Sequence, residues 1–162
     1  MDIGQGLIRV IGVGSPLGDD AAGLEAAREL AKSPPAGCEI IVADRPGVGL
    51  IELMDGAGTV ILIDAASFGS PPATIHDLDL SDIDAVDGGF FSSHDLGLVA
   101  TLNLARTLGR APSRGRIIAI EDAACSNPSF EGISPAMREG IENAVLRVRE
   151  WVARLAGPIS SG

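Results

Sequence analysis

Hydrophobic and polar residues divide this chain into two kinds of segment. Short β-branched runs predict strands, and longer segments with an apolar residue every three or four positions predict helices. The predicted strands span residues 7–13, 38–43, 59–64, 73–78 and 116–120. The predicted helices span residues 20–32, 48–54, 94–108 and 135–155. This alternation predicts an α/β fold with a mostly parallel, five-stranded sheet.

The last helix has the clearest pattern. Its apolar residues recur at helical spacing and form one stripe that comprises Ile141, Val145, Val148, Val152 and Leu155. We expect Ser134 to cap its amino end, with Pro135 at the first helical position. Trp151 lies next to the stripe and is interpreted as a packing residue. Residues 1–156 are predicted to form a single domain and residues 157–162 a flexible tail.

Composition and charge limit the possible partners. Of the 162 residues, 46% are hydrophobic and only 3% aromatic, so the core must be built from aliphatic side chains. The net charge of -10 disfavours nucleic acid and anionic membranes, because both would repel the chain. There is no basic leader region and no run of about 20 apolar residues. We therefore expect a cytoplasmic monomer or weak oligomer whose partner is a neutral or basic protein.

A glycine-rich turn over residues 12–20 follows the first predicted strand. It lacks the dinucleotide-binding fingerprint, because Leu17 occupies the position of the third glycine, and Asp19 and Asp20 stand where a Walker A loop needs lysine and serine or threonine. Two carboxylates would also repel a phosphate bound at this helix start. One of them is expected to cap the helix that begins at Ala21. A capping role for Asp19 would leave Asp20 to point into the crevice.

Three candidate metal ligands lie far apart in the sequence but at similar structural positions. Asp20 follows the first strand, Asp64 ends the strand 59–64, and His94 precedes the third helix. Loops at the carboxyl ends of neighbouring parallel strands share one crevice, and one imidazole with two carboxylates suits a divalent transition metal. Simpler alternatives are that Asp64 caps a loop and that His94 hydrogen-bonds within its own loop.

Other candidates are weaker. His76 lies in a predicted strand beside an aspartate and is interpreted as a surface or internally satisfied residue. Cys38 and Cys125 lack metal-binding spacing, and there is no Gly-x-Ser-x-Gly elbow, so covalent catalysis is the lesser alternative to hydrolysis assisted by a metal. An acidic stretch is interpreted as solvated loop. It comprises Asp77, Asp79, Asp82, Asp84 and Asp87.

Five motifs occur in one order between residues 9 and 155. They are Gly12-Val13-Gly14-Ser15-Pro16-Leu17-Gly18-Asp19-Asp20 with Gly23, then Asp44 with Gly47 and Gly49, then Ile63-Asp64-Ala65, then Ser93-His94-Asp95-Leu96-Gly97-Leu98, and finally Gly132-Ile133-Ser134-Pro135. Together they resemble the hydrogenase maturation proteases, nickel-dependent endopeptidases that trim the carboxyl terminus of the large subunit of nickel–iron hydrogenases.

The resemblance implies a three-layer α/β/α sandwich, in which the twisted sheet carries helices on both faces. It also implies a role for each matching residue. Asp20, Asp64 and His94 would be the catalytic and metal-contacting residues, while Asp44 and the turn from Gly47 to Gly49 would contact substrate. The nickel would arrive already bound to the hydrogenase large-subunit precursor, and zinc or cadmium could occupy the same ligands. Alternatives are a non-catalytic, metal-dependent assembly factor for the large subunit, or a protease that acts on another precursor.

Two departures from the family pattern bear on the identity of the substrate. Many family members have asparagine where this chain has Ser15. Their frequent Asp-Gly-Gly-Thr motif is replaced here by Asp44-Arg45-Pro46-Gly47.

Overall fold

The computed structural model describes residues 6–85, 97–123 and 132–157, which contain one five-stranded sheet. The strands are β1 (Ile8–Gly14), β2 (Cys38–Asp44), β3 (Thr59–Ala66), β4 (Ile75–Asp79) and β5 (Arg114–Glu121). Their order is β2-β1-β3-β5-β4, and only β4 is antiparallel to its neighbour. The predicted fold class is therefore confirmed, and each strand overlaps a predicted one.

Four α-helices connect or follow the strands. They are α1 (Ala22–Lys32), α2 (Leu50–Met54), α3 (Leu98–Thr107) and α4 (Pro135–Ala156). α1 begins two residues later than predicted, because Gly18–Ala21 forms a 3-10 turn. Ser134 caps α4 as predicted, since its hydroxyl accepts the backbone N–H of Met137 at 3.2 Å. Residues 94–96 of the predicted third helix and residues 158–162 of the predicted tail lie outside the described ranges.

Helices cover both faces of the sheet. α1 and α4 pack against side chains such as Ile61 and Ile63, whereas α2 and α3 pack against Val60 and Leu62. β3 therefore sends alternate side chains into two separate apolar layers, and all eight of its residues are buried. No helix in the described ranges combines the length and apolarity needed to cross a membrane.

Asp77 joins the sheet to α4. Its carboxylate accepts hydrogen bonds from Trp151 Nε1 at 2.7 Å, Arg116 Nε at 2.5 Å and Arg147 Nη1 at 3.0 Å. Arg116 also lies over the indole ring of Trp151, 4.0 Å from its centroid. Burial alone would raise the pKa of Asp77, but these bonds outweigh it and lower the pKa. The packing role of Trp151 is confirmed.

The interpretation of the acidic stretch as solvated loop is wrong for two of its members. Asp77 and Asp79 lie on β4, and both pair with Arg116. The predicted strand 73–78 already contained Asp77, whereas Asp79 lay one residue beyond its predicted end. Asp82 is exposed as expected, whereas the side chain of Asp84 and all of Asp87 lie outside the described part of the chain.

The backbone of α1 lies almost directly on the sheet. A Cβ atom added to Gly23 would lie 2.2 Å from the carbonyl oxygen of Val13 and 2.4 Å from that of Ile63. A Cβ atom added to Gly12 would lie 2.1 Å from the carbonyl oxygen of Gly23. Only glycine fits at either position, so these two residues set the distance between α1 and the ends of β1 and β3.

We expect Gly23→Ala to destabilise the protein by about 1–3 kcal/mol, because the new methyl group must push backbone away from backbone. For a chain of this length each kcal/mol lowers Tm by about 2–4 °C, which thermal unfolding can measure. The control is Gly49→Ala, since a Cβ atom there meets nothing within 4 Å and the backbone has an ordinary φ of -59°. Equal Tm values for the two variants would contradict the close approach.

Candidate active site

Two of the three predicted ligands lie at the carboxyl edge of neighbouring strands. Asp64 is only 1% exposed. It lies on the same side of β3 as Leu62 and Ala66, which is the side that faces α2 and α3. Its Oδ1 accepts the backbone N–H of Ala65 at 2.8 Å. Asp20 lies in the 3-10 turn Gly18–Ala21, which contacts β3, and is partly exposed. The fold therefore brings these two carboxylates to one edge.

The third predicted ligand, His94, lies outside the described residues. The helix it precedes, α3, packs on the face of the sheet that Asp64 shares. Within residues 6–85, 97–123 and 132–157, no three His, Cys, Asp or Glu side chains are arranged to hold a metal ion. The described chain thus contributes two carboxylates to the predicted donor set, and the imidazole stays a prediction.

Asp19 does not cap its own helix. Neither the 3-10 turn nor α1 has a side-chain cap, so the expectation that one of the aspartates caps there is wrong. The buried carboxylate of Asp19 instead accepts the backbone N–H of Ser134 at 2.9 Å and its hydroxyl at 3.0 Å. Asp19 therefore ties the turn after β1 to the start of α4 and is committed to structure.

Glu121 is a buried acid that the sequence prediction missed. It is 1% exposed, and its carboxylate accepts the backbone N–H groups of Phe68, Gly69 and Ser70 at 2.9–3.1 Å. His76 Nε2 lies 2.9 Å from its Oε2, which confirms that His76 is a satisfied residue. Like Asp64, Glu121 is an acid that follows a run of apolar strand residues, and this pattern is visible in the sequence. It was missed because the strand was predicted to end at residue 120, one residue before Glu121.

Asp122 is the second acid after β5. Its Oδ1 accepts a hydrogen bond from the hydroxyl of Ser67 at 2.7 Å. Asp122 therefore holds the first residue after β3, a strand that ends two residues beyond Asp64. Burial raises the pKa of Asp122, and the nearby charges of Glu121, Asp19 and Asp20 raise it further, although the bond from Ser67 opposes them. Asp122 therefore lies near Asp20 at the same edge of the sheet.

Asp44 ends β2 opposite Gly14, the last residue of β1, and so belongs to this edge as well. Its carboxylate pairs with Arg45 Nε at 2.8 Å. Arg45 has a φ of +45°, which is rare for a residue with a side chain, and its N–H donates to the carbonyl of Gly14 at 2.8 Å. Gly47 has a φ of +54°, and the 3-10 turn Gly47–Gly49 lies just beyond the end of β2.

Cys38 lies at the opposite end of β2 from this edge. Burial raises the pKa of its thiol to about 11, so at neutral pH it is not a thiolate nucleophile. This agrees with the small weight that the sequence gives to covalent catalysis. Cys125 lies outside the described residues.

We expect Asp19→Ala to cost about 1–3 kcal/mol of stability, because it leaves the N–H and hydroxyl of half-buried Ser134 without their acceptor. Thermal or urea unfolding of Asp19→Ala, Ser134→Ala and the double variant measures the coupling between them. Glu142→Ala, on the exposed face of α4, is the matched control and should change stability by no more than about 0.5 kcal/mol. Additive losses in the double variant would contradict a direct bond.

We expect the stability of Asp122→Asn relative to the parent protein to increase with pH. A carboxyl group whose pKa is higher in the native state than in the unfolded state stabilises the fold while it is protonated. That contribution is complete below the unfolded pKa of about 3.9 and is lost as pH rises through the native pKa. The asparagine variant keeps an acceptor for Ser67 but never carries the charge. Urea unfolding between pH 4 and pH 7 measures the trend, with Glu142→Gln as the control for loss of one charge. A constant or falling difference would mean that Asp122 ionises without cost.

Comparisons with known proteins agree with this architecture. The family model for hydrogenase maturation proteases matches residues 25–151, a range that contains Asp44, Asp64 and His94 and begins after Asp20. The chain is 25% identical over 156 residues to the hydrogenase expression/formation protein HupD of Rhodobacter capsulatus, which covers 89% of this chain and 72% of HupD.

Solved structures have the same fold. The hydrogenase maturating endopeptidase HybD from E. coli is 27% identical to this chain and superposes with a TM-score of 0.77. The superposition covers 93% of each of the two chains. A maturation protease HybD from Thermococcus kodakarensis, at 22% identity, covers 89% of this chain and 97% of its own, with a TM-score of 0.63. Since the family model spans most of the sequence, the chain belongs to the hydrogenase maturation protease family.

Proposed function

We propose that this protein is an endopeptidase that removes a carboxyl-terminal extension from a nickel–iron hydrogenase large-subunit precursor after nickel has been inserted. Asp20, Asp64 and His94 would contact the nickel that the precursor carries. The observation that carries the proposal is that Asp64, a buried acid, and Asp20 share the carboxyl edge of adjacent strands in a chain of this family. Nickel is thus part of the substrate.

The donor set fits a metal that another protein delivers. Two carboxylates and one imidazole suit a divalent transition metal, and three protein ligands leave coordination positions for groups of the substrate. Such a metal would either polarise the scissile carbonyl or act only as the handle by which a loaded precursor is recognised. Zinc or cadmium would fit the same ligands.

The protein's own residues would orient the substrate and the reacting water. Asp19 holds the turn that carries Asp20, and Glu121 and Asp122 hold the segment that follows Asp64. Asp44 and the turn Gly47–Gly49 lie at the same edge and would contact the peptide. The attacking group would be water, and the thiol of Cys38 would take no part, because it lies at the opposite end of β2 and burial raises its pKa.

We expect His94→Ala, Asp20→Asn and Asp64→Asn each to lower precursor processing by about 100-fold or more, because the first removes a metal ligand and the other two replace an anionic ligand with a neutral one. The measurement is the intact mass of a nickel-loaded large-subunit precursor before and after incubation. Asp82→Asn, an exposed acid away from this edge, is the control and should process normally. Thermal unfolding of His94→Ala should match the parent protein and so separate lost activity from lost fold.

Three outcomes distinguish the alternatives. Normal processing by His94→Ala would refute the ligand assignment. Tight binding of the precursor by the parent protein, without any loss of mass, would favour a non-catalytic assembly factor. Equal processing of nickel-free and nickel-loaded precursor would refute recognition of substrate-borne nickel while leaving the peptidase activity in place.

A further inference from the structure

Among the described strands, β2 is an edge strand that pairs on one side only. It pairs in continuous parallel register with β1, and no other described strand pairs with it. Ile8 donates its N–H to the carbonyl of Gly37, and Arg45 donates its N–H to Gly14, so the odd-numbered residues of β2 face β1. The N–H and C=O groups of Ile40, Val42 and Asp44 therefore point away from the sheet, whereas the N–H of Cys38 already donates to the carbonyl of Pro35 at 3.2 Å.

This edge lacks the features that usually prevent strand addition. Over its seven residues β2 has no proline, lysine or bulge, and its register with β1 is unbroken. Its two acids are already paired, Glu39 with Arg9 and Asp44 with Arg45. Val42 between them is 38% exposed.

The other edge of the sheet is different. β4 has five residues, and three of them are His76, Asp77 and Asp79. Short length and a high density of polar and charged side chains disfavour pairing with an added strand. The contrast makes β2 the edge at which an extended peptide would add.

The carboxyl end of β2 leads to the candidate active site. Asp44 lies beside Gly14, and the turn that carries Asp20 begins there. Two exposed apolar side chains flank this corner, Leu17 at 72% and Val48 at 55%. A strand added to β2 would lie about 10 Å from β1, since neighbouring strands are about 4.8 Å apart. About three extended residues would span that gap.

We propose that β2 binds the carboxyl-terminal extension of the substrate as a sixth strand, antiparallel to β2. This rests on the proposed function, in which the extension begins at the bond cleaved near Asp20. The residues after that bond form the end of the substrate chain and have no folded continuation, so they are available to pair. They leave the site at Asp44 and run towards Cys38, with about three residues between the cleaved bond and the first pair.

The test combines one change in the enzyme with one in the substrate. Val42→Pro removes a backbone N–H that points outward and that takes no part in the hydrogen bonds between β2 and β1. Val42→Ala is the matched control, because it shortens the side chain but keeps this N–H. The substrates are a nickel-loaded large-subunit precursor and the same precursor with its extension cut to three residues. For the parent protein we expect the shortened extension to raise KM about tenfold or more with kcat nearly unchanged.

With the full-length extension, Val42→Pro should raise KM about three- to tenfold, while Val42→Ala stays within about twofold. With the shortened extension, Val42→Pro and the parent protein should have equal KM values, which also demonstrates that the variant is folded. An equal KM for long and short extensions with the parent protein would overturn the proposal independently of how the variant folds.

Two further outcomes would also overturn the proposal. Sedimentation would detect a dimer if a second copy of this chain occupied the edge. A dimer of the parent protein that is lost in Val42→Pro would therefore overturn the proposal. If the parent protein cleaves neither precursor, the proposed function fails and strand addition fails with it. Cleavage of both precursors with unchanged KM overturns strand addition alone and leaves the peptidase in place.

Discussion

The close approach of α1 to the sheet is the constraint on which the candidate site depends. Gly12 and Gly23 let the helix backbone touch the carbonyl groups that end β1 and β3, with no side chain between them. The turn that precedes α1 is thereby held against the end of β3, where Asp64 lies. With a larger residue at Gly23, the helix would have to move outward, and Asp20 would move with it away from Asp64. The distance between two carboxylates from different strands is thus fixed by backbone packing several residues away.

The acids at this edge divide into structural and exposed groups according to their hydrogen bonds. Asp19 and Glu121 are buried, and backbone N–H groups of other segments satisfy their charge, so each holds two parts of the chain together. Asp20 is partly exposed and Asp44 is exposed, so solvent reaches both side chains. Neighbouring residues with the same side chain, such as Asp19 and Asp20, therefore have different roles because of where the backbone directs each one.

Strand and helix periodicity predicted the fold because each element has a continuous apolar pattern of its own, as in β3 and α4. The rule that parallel strands share a carboxyl edge was enough to bring Asp20 and Asp64 together. The bond between Asp19 and Ser134 could not be predicted, because it joins segments far apart in the sequence and depends on side-chain direction. Glu121 was missed by one residue at a strand end, where periodicity is least informative. The strand β4 was predicted, but the pairing of its acids Asp77 and Asp79 with Arg116 was not, because those bonds depend on which strand lies next to β4.

The concentration of negative charge at one edge gives a reason for a substrate that carries a cation. Asp19, Asp20 and Glu121 all contribute to the raised pKa of Asp122, alongside its burial, in a chain whose net charge is already -10. Like charges brought together in this way repel one another. A divalent cation delivered by a precursor would relieve this repulsion, whereas a precursor without metal would gain nothing from it. Under the proposed function, the electrostatics of this edge would therefore favour a loaded precursor over an unloaded one before any ligand geometry is considered.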